Sequence, residues 1–160
     1  MVVNATNGIL LAKGKWQNSL VSNPISLLVL NLMPSRQKTE RQFLNSFASL
    51  NCDYEITFLY PQTHNFTTTP RELIENCYAN LNQLRQRHYD GLIVTGAPVE
   101  TLAFDQVDYW DEFCEIIDWA HTHCNGILYE CWAAQAGLYY DYGIKKRCLP
   151  AKLFGVFTAT

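Results

Sequence analysis

Apolar residues fall along this chain in two rhythms: short, nearly continuous runs, and longer stretches where they recur every three or four positions. Ile25 to Leu32 (ISLLVLNL), Tyr54 to Tyr60 (YEITFLY), Asp90 to Thr95 (DGLIVT) and Ile127 to Cys131 are of the first kind. They suit parallel strands, which are buried on both faces. Between them, Lys38 to Leu50 places Phe43, Leu44, Phe47 and Leu50 at helical spacing. Pro70 opens a second helix running to about Arg87, with proline as a good first helical residue. Val107 to His123 sets Trp110, Phe113, Cys114, Ile117 and Ala120 on one stripe, and Trp132 to Tyr142 closes on Gly143.

This alternation predicts an α/β fold with an open, mostly parallel sheet and helices on both faces. Such sheets take ligands beyond the carboxyl ends of their strands, at a topological switch point. Three tails reach that edge: Asn31 to Pro34, Thr95 to Glu100, and Glu130-Cys131-Trp132. Residues 1–24 are weakly patterned and read as an arm or an edge hairpin. After Tyr142 the chain passes through Lys145-Lys146-Arg147 to a last strand over Leu153 to Phe157, with no helix after it. The 160 residues read as a single domain.

The junction at Cys131 carries the most chemistry. An apolar run ends there and a helix begins at once, which leaves the thiol at the carboxyl edge of the sheet. The helix directs its first free N–H groups at that point, where they favour a thiolate and can receive an oxyanion. Cysteine is also among the most buried residue types, so the bland reading is a packing residue. The Gly96-Ala97-Pro98-Val99-Glu100 loop favours the nucleophile, because it brings flexible backbone N–H groups to the neighbouring strand end. A thiol nucleophile wants an oriented base. His88, His121 and His123 belong at the amino edge of the sheet, and His64 lies on the correct edge with nothing to orient it. Arg36, Lys38 and Lys152 are candidates for holding a carboxylate or phosphate. A carboxylate beside a thiolate is unfavourable, so Glu130 is expected to face the other side of its strand.

Composition narrows the partners. The net charge of −3 is spread without a basic stripe, which sets nucleic acid aside. No apolar run reaches the roughly 18 residues of a membrane span, and the start lacks the pattern of a signal peptide. The six cysteines form no C-x-x-C pair and no cluster with zinc spacing. Free thiols in a reducing cytoplasm and no metal are expected. Small-molecule substrates are the expected partners, with a homodimer left open.

Several segments, in order, resemble the homoserine O-acyltransferases of methionine biosynthesis. They are Leu30-Asn31-Leu32-Met33-Pro34 with Thr39-Glu40, Asp90 to Leu102, Val107-Asp108-Tyr109-Trp110, Cys131 to Leu138, Tyr142-Gly143-Ile144, and Lys152 to Phe157. The likeness covers residues 25–157 and implies a class I glutamine amidotransferase-like (flavodoxin-like) fold. It further implies that Cys131 takes an acetyl group from acetyl-CoA as a thioester and passes it to an amino-acid hydroxyl. Acetyl-CoA is then a co-substrate, and no cofactor is permanently bound. The backbone N–H groups of Trp132 and Ala97 would form the oxyanion hole. Glu100 matches the position that sorts the acyl donor, glutamate going with acetyl and glycine with succinyl. Lys152 matches a position that binds the amino acid, and Arg36 stands where the family usually carries lysine. The family's catalytic His and Glu lie downstream of Thr160, so the C-terminal part of the fold is expected to be absent from this chain. Homoserine is the expected acceptor. Serine is the competitor, one methylene smaller. A glutaminase-type hydrolase and a non-catalytic fragment are the readings from other classes.

Overall fold

The computed structural model describes residues 1–151, 153, 155, 156 and 158. Its strands are β1 (Val3–Ala5), β2 (Ile25–Leu30), β3 (Tyr54–Leu59), β4 (Gly91–Val94) and β5 (Ile127–Tyr129). Its helices are α1 (Ile9–Ala12), α2 (Arg36–Ala48), α3 (Arg71–Cys77), α4 (Leu81–Leu84), α5 (Trp110–His123) and α6 (Trp132–Tyr142), with a 3₁₀ turn at Phe104–Gln106. The strands form one sheet in the order β1-β3-β2-β4-β5, and every pairing is parallel. The α/β fold with helices on both faces is as expected.

Two cores follow from the period of two along each strand. Leu28, Leu30, Leu92 and Val94 point to one face, where they meet Leu81, Phe113, Ile117, Trp132 and Ala136 from α4, α5 and α6. Leu27, Val29, Ile56, Phe58 and Ile93 point to the other, against Ile9, Leu10, Leu44 and Ile74 of α1, α2 and α3. The sheet is therefore apolar on both sides, which is why its strands read as runs rather than alternations.

The structure corrects several readings. Residues 1–24 supply the edge strand β1, parallel to β3, and the short helix α1. The single helix expected from Pro70 to Arg87 is two. Tyr78 adopts extended dihedrals, Ala79 bridges to Leu59, and Asn80 caps α4 by exchanging hydrogen bonds with Gln83. Pro70 takes the capping position, one residue before the helix. The helix expected from Val107 begins at Trp110, and β5 stops at Tyr129, two residues short of Cys131. Of the strand expected over Leu153 to Phe157, residues 154 and 157 lie outside those described, and residues 153, 155 and 156 are in no strand.

Candidate functional site

The turn from β5 into α6 is tight, and Cys131 bears the distortion. Its φ of 53° and ψ of −116° are rare for a residue with a side chain, at a strain of about 1–3 kcal/mol. Packing on both sides imposes it. Before the turn, the Glu130 N–H donates to the Val94 carbonyl at 2.9 Å, prolonging the ladder with β4. After it, Trp132 is fully buried among Phe113, Tyr109 and Phe104, with ring centroids 5.7, 5.9 and 6.2 Å away. Gly137 lies flat on the Tyr129 ring, where a methyl group would come within 2.9 Å of it. Trp132 is thus an anchor, and the Cys131 side chain is left exposed.

The other tails converge on the same point. Gly96 faces Cys131 so closely that a methyl there would meet the cysteine Cβ at 3.0 Å and Sγ at 3.5 Å. The Thr95 hydroxyl accepts the Leu32 N–H at 2.8 Å and donates to the Gly96 carbonyl at 3.1 Å, tying the Met-Pro turn to the glycine loop. Among the described residues, the N–H groups of Ala97 and Trp132 donate to no backbone or side-chain acceptor. One follows Gly96 and the other follows Cys131, so both are open donors beside the thiol. Glu130 lines a groove with Met33, Ile93, Thr95 and Leu128 on the α2 side, which Cys131 does not line. Its partial burial raises the carboxyl above its ordinary value.

All six cysteines are unpaired. Burial pushes the Cys114 thiol, with Asp111 and Asp118 adding to it, and the Cys124 thiol to about 11, and it raises Cys77 as well. A thiol held in its protonated form in this way is a poor nucleophile. Cys52 and Cys148 are exposed on a turn and on the C-terminal segment.

Glu100 is exposed and lines a groove of about 780 Å³ with Leu102, Gln135, Lys146 and Leu149. Gln135 belongs to the first turns of α6, so this groove runs beside the helix that Cys131 starts. The Lys146 ammonium donates to the Glu100 carbonyl at 2.8 Å and to the Leu102 carbonyl, and lies 4.6 Å from the Phe104 ring centroid. The backbone at Glu100 is held, while its carboxylate has no hydrogen-bond partner among the described residues.

Arg36, the first residue of α2, is only 3% exposed. Its guanidinium lies over the Phe66 ring at 4.7 Å, and burial lowers its pKa. Lys38 is exposed on α2. Lys152 lies outside the described residues. Among the histidines, His88 and His123 stack at the amino edge of β4 and β5, and His121 meets Asp141 at 3.2 Å. The reading of His64 is corrected. It is oriented: its Nδ1 contacts Asp108 at 2.9 Å, and its ring stands edge-on to Phe66 and Tyr109. Partial burial opposes ionisation of Asp108, but the Asn65 N–H and His64 outweigh it and hold the carboxyl below its ordinary value.

Sequence reasoning missed this loop and its anchors. Glu112 of α5 accepts the N–H groups of Gln62 and Thr63 and the Thr63 hydroxyl, each at 2.8 Å. Arg71 donates to the His64 carbonyl at 2.7 Å. The signal lies in the Asp108-Tyr109 pair within one of the resembling segments, both of which meet His64.

No group of three or more His, Cys, Asp or Glu among the described residues could hold a metal ion. Among the described residues, no helix is long and apolar enough to cross a membrane.

Comparison with known proteins agrees with this architecture. The family described as HTS, homoserine O-succinyltransferase, matches residues 4–160. A homoserine O-acetyltransferase of Bacillus licheniformis is 47% identical over 134 residues, which is 84% of this chain and 44% of that protein. Homoserine O-acetyltransferases of Bacillus subtilis and Bacteroides fragilis are 44% and 45% identical, over 86% and 84% of the chain. The chain spans under half the length of these relatives, 46% and 44% for the last two. On the reach of that match and the identity behind it, the chain belongs to the homoserine O-succinyltransferase family.

Proposed function

We propose that this chain carries the acyl-transfer centre of a homoserine O-acetyltransferase, with Cys131 as nucleophile. The Cys131 sulfur attacks the thioester carbonyl of acetyl-CoA. The S–C bond to CoA breaks, and CoA leaves as its thiol with the proton given up by Cys131. The homoserine hydroxyl then attacks the acetyl-cysteine, loses its proton, and leaves as O-acetylhomoserine while the Cys131 thiol reforms. Splitting the transfer in this way replaces one hard step with two easier ones. The open N–H groups of Ala97 and Trp132 would receive the carbonyl oxygen as it becomes an oxyanion in both steps. With O-acetylhomoserine as product, the reaction would belong to methionine biosynthesis, and the cytoplasm would be its compartment.

The observation that carries this reading is the strained, exposed Cys131 with open N–H donors on either side of it. Glu100 would disfavour a succinyl donor by facing the free carboxylate of that group. Arg36 and Lys152 would hold the amino acid. Lys152 enters on the family resemblance alone.

Incubation with labelled acetyl-CoA tests the scheme. The parent should gain one acetyl group, removable by hydroxylamine, and Cys131→Ala should gain none. Equal labelling of the two proteins sinks the thioester. Chasing the labelled protein with homoserine and with serine then decides the acceptor: preferential discharge by serine would replace homoserine in this reading.

A further inference from the structure

Two cavities adjoin along the loop that carries Glu100. The groove of about 780 Å³ beside Glu100 includes Gln135 in its wall. A second cavity, of about 300 Å³, is lined by Phe104, Asp105, Trp110, Tyr139 and Lys145. Ala103 and Lys146 belong to both, so the two join into one channel. Its direction follows from α6. Cys131, Gln135 and Tyr139 succeed one another at intervals of four residues, so they lie along one face of the helix. Tyr139 is therefore about 12 Å beyond the thiol-bearing turn along the helix axis, at a rise of about 1.5 Å per residue. The channel runs from the reacting end, past Gln135, to an end walled by aromatic rings.

That far end carries two kinds of unused binding capacity. The Phe104 ring stacks with Tyr139 at 4.6 Å and with Trp110 at 5.0 Å, and Trp110 and Tyr139 are only partly buried. Rings left partly open in this way can stack one more flat, aromatic group. Beside them lies Lys145-Lys146-Arg147, the one run of three basic residues in a chain of net charge −3. Lys146 is engaged by the carbonyls of Glu100 and Leu102. Lys145 lines the aromatic end and Arg147 the groove, both exposed, and neither makes an ion pair among the described residues. Two neighbouring cations without a counter-charge favour an anion from outside.

We propose that the aromatic end of this channel is a nucleotide site, which holds the non-reacting end of the acyl donor. A purine stacks against Trp110 and Tyr139, its phosphates lie between Lys145 and Arg147, and the flexible arm of the donor follows the groove towards Cys131. Rings and cations together select this ligand. A phosphate alone would leave the rings bare, and it would be opposed by Asp105, which instead can accept the exocyclic amine of an adenine. The assignment rests on the acyl-transfer reading above and adds to it the place where the donor's remote binding energy arises.

Tryptophan emission and calorimetric titration of the full chain test the site. The probes are CoA, adenosine 3′,5′-bisphosphate, which is its nucleotide end alone, pantetheine, which lacks that end, and ADP. The bisphosphate should quench the emission of the parent and quench Trp110→Phe far less. A double variant, Lys145→Gln with Arg147→Gln, should melt with the parent, as expected for two exposed side chains. It should bind CoA and the bisphosphate about tenfold more weakly at low salt, the worth of two solvent-screened contacts, and this loss should shrink as salt rises. In acylation of Cys131, the rate with acetyl-CoA relative to acetylpantetheine should fall by the same factor. A bisphosphate that neither quenches nor displaces CoA would overturn the site, and so would a double variant with the parent's affinity for CoA. ADP bound more tightly than CoA would give the site to a free nucleotide and overturn the donor assignment. Nucleotide binding that depends on Lys145 and Arg147, in a protein whose Cys131 never acylates, would sink the acyl-transfer reading and leave the nucleotide site standing. Acylation by acetyl-CoA no faster than by acetylpantetheine would do the reverse.

Discussion

Gly96 and Cys131 approach closely across the ends of β4 and β5, and a side chain at position 96 would fit only if one of them gave way. A methyl there would lie 3.0 Å from the cysteine Cβ, an atom fixed by its own backbone. The distorted turn at Cys131 and the glycine loop therefore shape each other, and the Ala97 N–H is carried along with them. Gly96→Ala should push the loop and the thiol apart by a few tenths of an ångström. Acylation of Cys131 by labelled acetyl-CoA should slow by about ten- to a hundredfold, the penalty for a small misplacement at a reacting centre. Circular dichroism and the melting curve should change little. An unaltered acylation rate would separate the loop from the reaction.

Glu40 holds the N-terminal segment to the rest of the fold. Its buried carboxylate accepts the N–H groups of Ile9 and Leu10 at 2.9 and 2.7 Å and the Tyr78 hydroxyl at 2.8 Å. Glu40→Ala should orphan all three, at about 3 kcal/mol or more, and hydrogen exchange should quicken first in α1 and β1. Burial raises the Glu40 carboxyl above its ordinary value of 4.5. The folded state thus binds its proton more tightly than the unfolded chain. That contribution to stability is full below pH 4.5 and is lost as the pH rises through the higher folded value. Denaturation of Glu40→Gln measured against pH should lack this fall.

What could be read from the sequence was what neighbouring residues decide. α6 runs from Trp132 to Tyr142, as expected, and Gly143 closes it with a φ of 69°. Local spacing and one glycine sufficed there. The break between α3 and α4 was hidden because Tyr78 is drawn out of the helix by partners far away in the chain. Its hydroxyl meets Glu40, 38 positions off, and Asn31, 47 positions off. β1 is only three residues long and exists because β3 offers it a ladder. At the site, the exposed elbow at Cys131 was legible as a pattern, but the orienter of His64 was not, since Asp108 lies 44 residues on. Glycine at 96 announced a flexible loop. Only the fold reveals that it is a close approach.

Asp108 should govern how firmly the loop bearing His64 is held. Its carboxylate accepts the Asn65 N–H at 2.7 Å and contacts His64, and these partners hold its pKa below the ordinary 3.8. A lowered carboxyl pKa in the folded state contributes stability above 3.8 and loses it as the pH falls through the folded value. The side chain is 34% exposed, so the global effect should stay within about 1 kcal/mol. The local effect should be larger. In Asp108→Asn, amide exchange at His64 and Asn65 should quicken at neutral pH, and parent and variant should converge in acid. Equal protection at neutral pH would assign the loop's order to Glu112 alone.

Choice of acyl donor should depend on the Glu100 side chain and not on the Lys146 clamp beneath it. Lys146 lines the same groove, but its ammonium grips the carbonyls of Glu100 and Leu102 and so fixes where the loop runs. The Glu100 carboxylate faces the groove shared with Gln135 on α6. A succinyl group there would bring a second carboxylate against it, and like charges set together discriminate strongly. Glu100→Gly should therefore raise the ratio of succinyl to acetyl transfer by about tenfold or more, the cost of a partly screened like-charge contact. Lys146→Ala should slow both donors together and leave the ratio where it was, because a loosened loop misplaces the pocket for either one. Competition between labelled acetyl-CoA and succinyl-CoA, read by intact mass at Cys131, reports the ratio directly. A ratio that moves with Lys146 and not with Glu100 would transfer selectivity from the carboxylate to the shape of the loop.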